Sequence, residues 1–426
     1  MRVVERRLDK NGVIRVTGPA MLLVNSGRIS VLGAVYGPGS RLVLHKCRSY
    51  AVKALEESEL KVTLGEEGSV EEPKPGEEVI EEWLSVAERV ASKGGRVILV
   101  GGVESGKTSL AALIANVGLS SGRRVAVVDG DVGQADVGPP AFVSMGFVER
   151  PLVWLRDLTA ESMKFIGTVA PGPVAGSIVA SVRELVEEAE RKGADLVVVD
   201  TDGWVSGMGA AGYKLALIKS LQPASVVLVG GNLDLLANIL ARTSIETYVV
   251  GSPARRRERS RDERRKLRAE GYRRYLEGGE TVRINAAEAP VLGSCVFSGT
   301  PVSEGEVEAI SSILGVRVLR TSRLPGMLVV AAESRPGREA LARLREAYPE
   351  DSVYVVTPME AKGLLVAMID RSLRELGPGL ILSVDYELGT ILVRTRYSEG
   401  AEGIIVGRVK LDDNYVEVGR ITGCVI

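Results

Sequence analysis

Residues 101–108 read Gly101-Gly102-Val103-Glu104-Ser105-Gly106-Lys107-Thr108, with Ser109 next, the spacing of a complete phosphate-binding loop. Gly101 and Gly106 let the backbone wrap an anion with its amide hydrogens turned inward, and a helix starting at Lys107 points its positive end at the same charge. Lys107 is then placed to reach the β- and γ-phosphates of a nucleoside triphosphate, and Thr108 to hold Mg²⁺. Residues 101–109 together form the expected nucleotide contact.

Two acidic segments add to this. Val127-Val-Asp-Gly-Asp-Val-Gly-Gln134 puts Asp129 and Asp131 at the end of an apolar run. Carboxylates there can bind Mg²⁺ and take a proton from an attacking hydroxyl, as phosphoryl transfer requires. Val197-Val-Val-Asp-Thr-Asp-Gly-Trp204 ends a second such run, which makes Asp200 a rival metal residue and puts Trp204 where it could stack on a base. Phe165–Pro171 is a turn that says little alone. Ala254–Tyr275 is dense in arginine, and guanidinium groups there could neutralise a transferring phosphate and a substrate backbone together.

These residues need rigid elements behind them. Near-continuous Val/Ile/Leu runs at 97–100, 124–128, 196–199, 225–229 and 247–250 alternate with helical segments near 108–119, 176–192 and 212–221. That pattern predicts an α/β fold: a central P-loop NTPase domain with a parallel doubly wound sheet, its ligands at the carboxyl ends of the strands. Short β-type runs in residues 1–72 predict a small N-terminal β domain. The Glu/Pro/Gly-rich stretch 65–78 is the expected linker, followed by a helix near 77–92. Residues 76–285 form the expected kinase domain, with an arginine-rich lid helix at 254–276. A β-rich C-terminal domain at 286–426 includes two amphipathic helices near 304–314 and 337–347.

Composition narrows the classes. A chain of 426 residues fits about two to three domains, and a net charge of −1 gives no overall attraction to polyanions, so any must come from the local arginine cluster. No apolar run of about 18 residues and no signal-peptide pattern is seen, so a cytoplasmic location is expected, neither secreted nor membrane-embedded. Cys47, Cys295 and Cys424 are scattered without a CxxC pair and are expected to be reduced. His45 has no second imidazole to share a metal with, which nearly excludes histidine-based acid–base chemistry. Arginine, glutamate and valine are abundant while aromatic residues make up 4%, a bias toward a hot-environment organism.

In ordered motifs the chain resembles the polynucleotide 5′-hydroxyl kinases, a family that includes the archaeal RNA/DNA kinase, the kinase subunit of the pre-mRNA cleavage factor and the ribosomal-RNA-processing kinase. The motifs are the phosphate loop, the Asp-x-Asp-x-Gly-Gln run at Asp129–Gln134, the turn at Gly167–Pro171, Thr-x-Gly-Trp at Thr201–Trp204 and the arginine-rich lid. The resemblance implies transfer of the γ-phosphate of ATP or another NTP, with Mg²⁺, to the 5′-hydroxyl of RNA or DNA. It implies that Lys107, Asp129 and Asp131 act with lid residues Arg268 and Arg273, with Arg264 and Arg265 as reserves among the substrate-contacting arginines, and that Asp129 is the first choice for general base and metal contact. It also implies that Gln134, Thr168, Thr201 and Trp204 clasp the terminal nucleotide. RNA-processing proteins are possible partners through the C-terminal domain, and membranes are not. Two rival readings are a non-catalytic ATP-binding subunit of an RNA-processing assembly and a P-loop kinase of small metabolites or nucleosides.

Overall fold

The computed structural model describes residues 2–46, 48–255, 259–424 and 426. Cys47 and residues 256–258, which open the arginine-rich segment, lie outside the described residues. The chain forms two compact units: Met1–Gly138 with Val143–Ser162 and Ala170–Arg264, and Pro139–Phe142 with Met163–Val169 and Arg265–Ile426.

In the first unit the strand Gly95–Gly101 lies in the middle of its sheet because its apolar run has no face for water: Val97, Ile98, Leu99 and Val100 are at most 1% exposed. It pairs in parallel with Leu196–Asp200 on one side and Ser225–Val229 on the other. Val125–Asp129 and Glu246–Val250 continue the sheet outward, also in parallel. The chain thus leaves the first strand at the point where strand order reverses, and there the ends of neighbouring strands diverge into a ligand crevice. Helices Ile80–Lys93 and Lys107–Ser120 supply Trp83, Val86, Val90, Leu110, Leu113 and Ile114 to one buried layer with Val97, Leu99, Val125, Val127, Leu196 and Val198. Burial of each such side chain stabilises by about 1.5–3 kcal/mol before entropy is counted. Ala175–Arg191 and Met208–Leu221 pack with each other and reach this same sheet. The expected parallel sheet carries an antiparallel strand. Phe142–Phe147 pairs antiparallel with Val125–Asp129, an orientation that a strand buried on both faces does not reveal in its residue pattern.

Residues 2–71 form two sheets. Arg2–Leu8, Ser58–Leu64, Ala20–Ser26 and Arg41–Leu44 make one, and Ala34–Tyr36, Ile29–Val31, Ser49–Ala54, Val13–Thr17 and Ser69–Glu71 the other. Ile14, Val16, Leu22, Val24, Val52, Leu60 and Val62 fill the space between them. The stretch read as a linker is pinned instead. Ser69–Glu71 is a strand against Val13–Thr17, and the buried Arg15 guanidinium draws in Glu71, Glu77 and Glu78 at 3.0, 3.7 and 2.6 Å. A buried guanidinium must be paired, and the acidic run that looked solvated supplies its partners.

The second unit contains a sheet in the order Glu280–Asn285, Thr390–Thr395, Glu375–Asp385, Leu364–Ile369, Gly403–Leu411 and Val291–Leu292, with Glu417–Arg420 beside Gly403–Leu411. A three-stranded sheet, Val318–Leu324, Met327–Ala332 and Ser352–Val356, packs with helices Glu304–Leu314 and Arg338–Ala347 around Ile310, Leu314, Leu328, Val330 and Leu344. The expectation of reduced cysteines is corrected here: Cys295 and Cys424 form a disulfide, their Cα atoms 5.8 Å apart. The chain's last residues fold back so that the Ile426 carbonyl accepts from the Cys295 and Val296 amides, a pairing across 129 residues that spacing does not reveal. Among the described residues no helix is long and apolar enough to cross a membrane.

Candidate functional site

The phosphate loop leaves the buried strand at Gly101 and enters the helix at Lys107. Gly106 adopts φ +101°, and a Cβ there would sit 2.7 Å from the Trp83 ring, so both conformation and space demand glycine. Lys107 is buried, and its Nζ donates to the Gly102 carbonyl at 2.8 Å, curling over the loop it would share with a phosphate. The buried Ser105 hydroxyl has no partner in the structure. Glu104 takes a left-handed φ of 58°, held there as its carboxylate accepts from the Arg259 amide at 2.8 Å and lies 3.5 Å from Arg264.

Asp129 and Asp200 end adjacent strands and are paired in register. The Asp129 carboxylate accepts from the Asp131, Asp136 and Val137 amides at 3.0, 2.6 and 3.0 Å. Burial, with Asp200 and Asp136 close by, still pushes its pKa well above the usual carboxylate range. Asp131 is half-buried, and its Oδ1 accepts from the Gly133 and Gln134 amides at 3.0 and 2.9 Å. Its pKa is raised by burial and by Asp202. Thr108 donates its hydroxyl to Asp200 Oδ2 at 2.7 Å, whereas Asp200 Oδ1 is buried without a partner. Burial lifts Asp200 to about 6.

Past Asp200, the Thr201 hydroxyl is buried and donates to the Leu99 carbonyl at 2.7 Å, tying the loop to the neighbouring strand. Trp204 lies over Tyr213, ring centroids 5.9 Å apart and planes 23° apart.

A cavity of about 740 Å³ gathers much of this chemistry. Residues 103–109, Asp131, Gln134, Asp202, Trp204 and Arg264 line it, together with Arg15, Ser30, Arg48, Tyr50 and Trp83. Asp129 and Thr201 are not among its walls. The Tyr50 hydroxyl is buried there without a partner, and burial pushes it up to about 12. Arg48, just before the strand Ser49–Ala54, bonds Asp136 at 2.6 Å, and Arg156 reaches the same carboxylate at 3.0 Å. Both guanidiniums lie against Trp154, 4.5 and 4.7 Å from its centroid. Burial alone would raise the Asp136 pKa, but the two arginines outweigh it and hold the group below its usual range.

The lid helix, Arg261–Leu276, begins in the first unit, where Arg264 meets the cavity. Arg265, Arg268, Arg273 and Arg274 belong to the second unit. Arg268 makes a fork with both Glu417 oxygens at 2.7 and 3.1 Å, Arg265 donates to the Glu417 carbonyl, and Arg273 donates to the Asn414 carbonyl at 3.2 Å. The Tyr272 hydroxyl also donates to Glu417, at 3.1 Å. Thr168 is buried in this second unit, next to Gly167, whose carbonyl accepts from the Arg408 amide. Sequence reasoning missed Arg48, Tyr50, Trp83, Asp136 and Lys214. Only Asp136, just past Gln134, and Lys214, a lysine on an apolar helix, left a readable signal.

A hard-oxygen pair, the Thr108 hydroxyl and the unpartnered Asp200 Oδ1, suits a magnesium ion, and the Ser105 hydroxyl and loop amides suit phosphate. Among the described residues no group of three or more His, Cys, Asp or Glu side chains could hold a metal.

Comparison with known proteins agrees with this geometry. The family model described as mRNA cleavage and polyadenylation factor CLP1 P-loop matches residues 101–278. A polyribonucleotide 5′-hydroxyl-kinase of Thermococcus kodakarensis is 30% identical over 368 residues, 81% of this chain and 97% of the relative. One from Methanocaldococcus jannaschii is 29% identical over 331 residues, 76% and 90% of the two chains. Gallus gallus Clp1 is 29% identical over 212 residues, 47% and 49%. Among solved structures, Clp1p in its complex with Pcf11p superposes with a TM-score of 0.65 over 96% of this chain and 98% of that one, at 14% identity, a likeness of fold. The chain belongs to the polyribonucleotide 5′-hydroxyl-kinase family.

Proposed function

We infer that this protein is a kinase that transfers the γ-phosphoryl group of a nucleoside triphosphate, ATP in the first instance, to the 5′-hydroxyl end of RNA. One observation carries the reading. A phosphate loop, an accessible carboxylate at Asp131 and an aromatic face at Trp204 line a single cavity, as a donor, a base and an acceptor platform must.

In the mechanism we propose, the loop amides and Lys107 hold the β- and γ-phosphates. Asp131 takes the proton of the attacking 5′-hydroxyl. The 5′-hydroxyl oxygen bonds to the γ-phosphorus as the bridging oxygen leaves with the nucleoside diphosphate. This moves the base role from Asp129 to Asp131, because Asp129 is not among the cavity's walls and its oxygens already serve three backbone amides. The raised pKa of Asp131 favours it as a proton acceptor. Magnesium, held by Thr108 and Asp200, would supply charge neutralisation at the phosphates. Arg264 is the lid arginine nearest this chemistry in the first unit, Trp204 stacks the terminal base, and Gln134 borders it. Ser30, Arg48 and Tyr50 are the proposed walls for the donor base. Arg265, Arg268, Arg273 and Thr168 stay candidates for the acceptor backbone.

The test is transfer of label from γ-labelled ATP to matched 5′-hydroxyl and 5′-phosphate oligonucleotides of RNA and DNA, with and without magnesium. Label on 5′-hydroxyl RNA alone, lost in Lys107→Ala, is expected, and the DNA arm ranks the acceptors. ATP binding without any labelled end would instead favour a non-catalytic role with protein partners.

A further inference from the structure

The only charged residues of the helix Met208–Leu221 are two lysines, and one of them, Lys214, is fully buried. Its Nζ donates to the Asp202 carbonyl and to Asp202 Oδ2, both at 3.0 Å, and lies 4.4 Å from the Tyr213 ring centroid. Asp202 in turn accepts from the Trp204 amide through Oδ1 at 2.9 Å and from the Tyr213 hydroxyl through Oδ2 at 2.8 Å. Tyr213 is the ring on which Trp204 lies. One carboxylate therefore fixes both the backbone of the tryptophan and the ring beneath it.

The loop has little other freedom. A Cβ on Gly203 would meet the Val103 amide at 2.8 Å, so the turn lies flush against the phosphate loop. A buried ion pair is a poor source of stability, since apolar residues of similar volume often do as well, and its better-attested use is to specify one arrangement. Here the arrangement specified is the orientation of Trp204. Lys214 has no exposure to the cavity and is not among its walls, so it can influence an acceptor only through the groups it touches, Asp202 and the Tyr213 ring beneath Trp204.

We propose that Lys214 is a positioning residue for the RNA acceptor, holding Trp204 in stacking orientation through its ion pair with Asp202. The inference rests on the reading of Trp204 as the platform for the terminal base. It concerns acceptor affinity and leaves the nucleotide side of the site alone.

A double-mutant cycle tests it, using steady-state transfer from ATP to a short 5′-hydroxyl oligoribonucleotide. Trp204→Ala should raise the acceptor KM about tenfold. Lys214→Met should raise it roughly fivefold with the ATP KM unchanged, and should add nothing in the Trp204→Ala background, as residues of one network behave. The pair Asp202→Asn with Lys214→Met removes the orphaned charge and keeps acceptors for the Trp204 amide, so the acceptor KM should return to within about twofold of the parent. If Lys214→Met does not accumulate as folded protein, Lys214→Gln, which removes the charge and shortens the reach to Asp202, carries the same cycle. Equal rises in both KM values, or additive effects of the two substitutions, overturn the proposal. A Trp204→Ala effect with silent Lys214 variants sinks the proposal alone, whereas a silent Trp204→Ala sinks the platform reading beneath it.

Discussion

Two loops leave adjacent strands of the central sheet with the same spacing, Asp129-Gly-Asp131 and Asp200-Thr-Asp202, and the structure uses them in opposite senses. In the first, the strand-terminal aspartate is saturated by backbone amides and the aspartate two residues on faces the cavity. In the second, the strand-terminal aspartate meets Thr108 and keeps an unpartnered oxygen, while the later one is taken up by Lys214, Tyr213 and the Trp204 amide. Identical spacing does not confer identical chemistry. What decides is how many donors the following loop turns back onto each carboxylate, because a carboxylate already accepting several hydrogen bonds has little left for substrate or metal.

The contrast can be broken most severely at Asp131. Asp131→Asn should lower kcat by about 10²–10⁴, the usual worth of a general base, with the ATP KM little changed. An unchanged kcat in single-turnover transfer would return the base role to Asp129. Next, Asp129→Ala strands three buried amides and should cost about 3 kcal/mol of stability, read as an earlier urea midpoint.

Asp200 gives a smaller, pH-dependent effect. Its pKa of about 6 in the fold lies above its value in the unfolded chain, so between the two the folded state holds a proton that the unfolded state lacks. That contribution is fully present below about pH 4 and is lost as pH rises through about 6, amounting to about 3 kcal/mol. Without nucleotide, Asp200→Asn should therefore gain melting temperature relative to the parent between pH 4 and pH 7, with the gap level above. A gap that shrinks with pH would contradict the assignment. Smallest of all, Thr201→Val removes one buried hydrogen bond, worth about 1 kcal/mol, and should leave the acceptor KM untouched. A raised acceptor KM would restore Thr201 to the nucleotide clasp.

The sequence carried the phosphate loop and the sheet plainly, because few other folds call for that glycine spacing or for Val/Ile/Leu runs buried on both faces. It could place Asp129 and Asp131 at a strand end, but the choice between them depends on amides at 131, 136 and 137 whose direction is set only by the folded loop. The acidic stretch before the kinase domain read as a linker because its partner, Arg15, lies more than fifty residues upstream. The lid helix was legible as an arginine run, yet Glu417, which takes up Arg268, lies 149 residues away. The same distance problem hid the disulfide. Local pattern fixes elements, and long-range pairing decides what each charged group is for.

The contact of Arg48 with Asp136 bears on how this protein could be recombined. Arg48 comes from the N-terminal sandwich, Asp136 from the loop after the second strand of the sheet, and the Asp136 amide is itself bonded to Asp129. The N-terminal sheets are thus wired into the backbone that presents Asp131. A chimera that borrows the N-terminal sandwich from one relative and the catalytic core from another would inherit a mismatched seam at that point, so the two are expected to be exchangeable only as a single cassette.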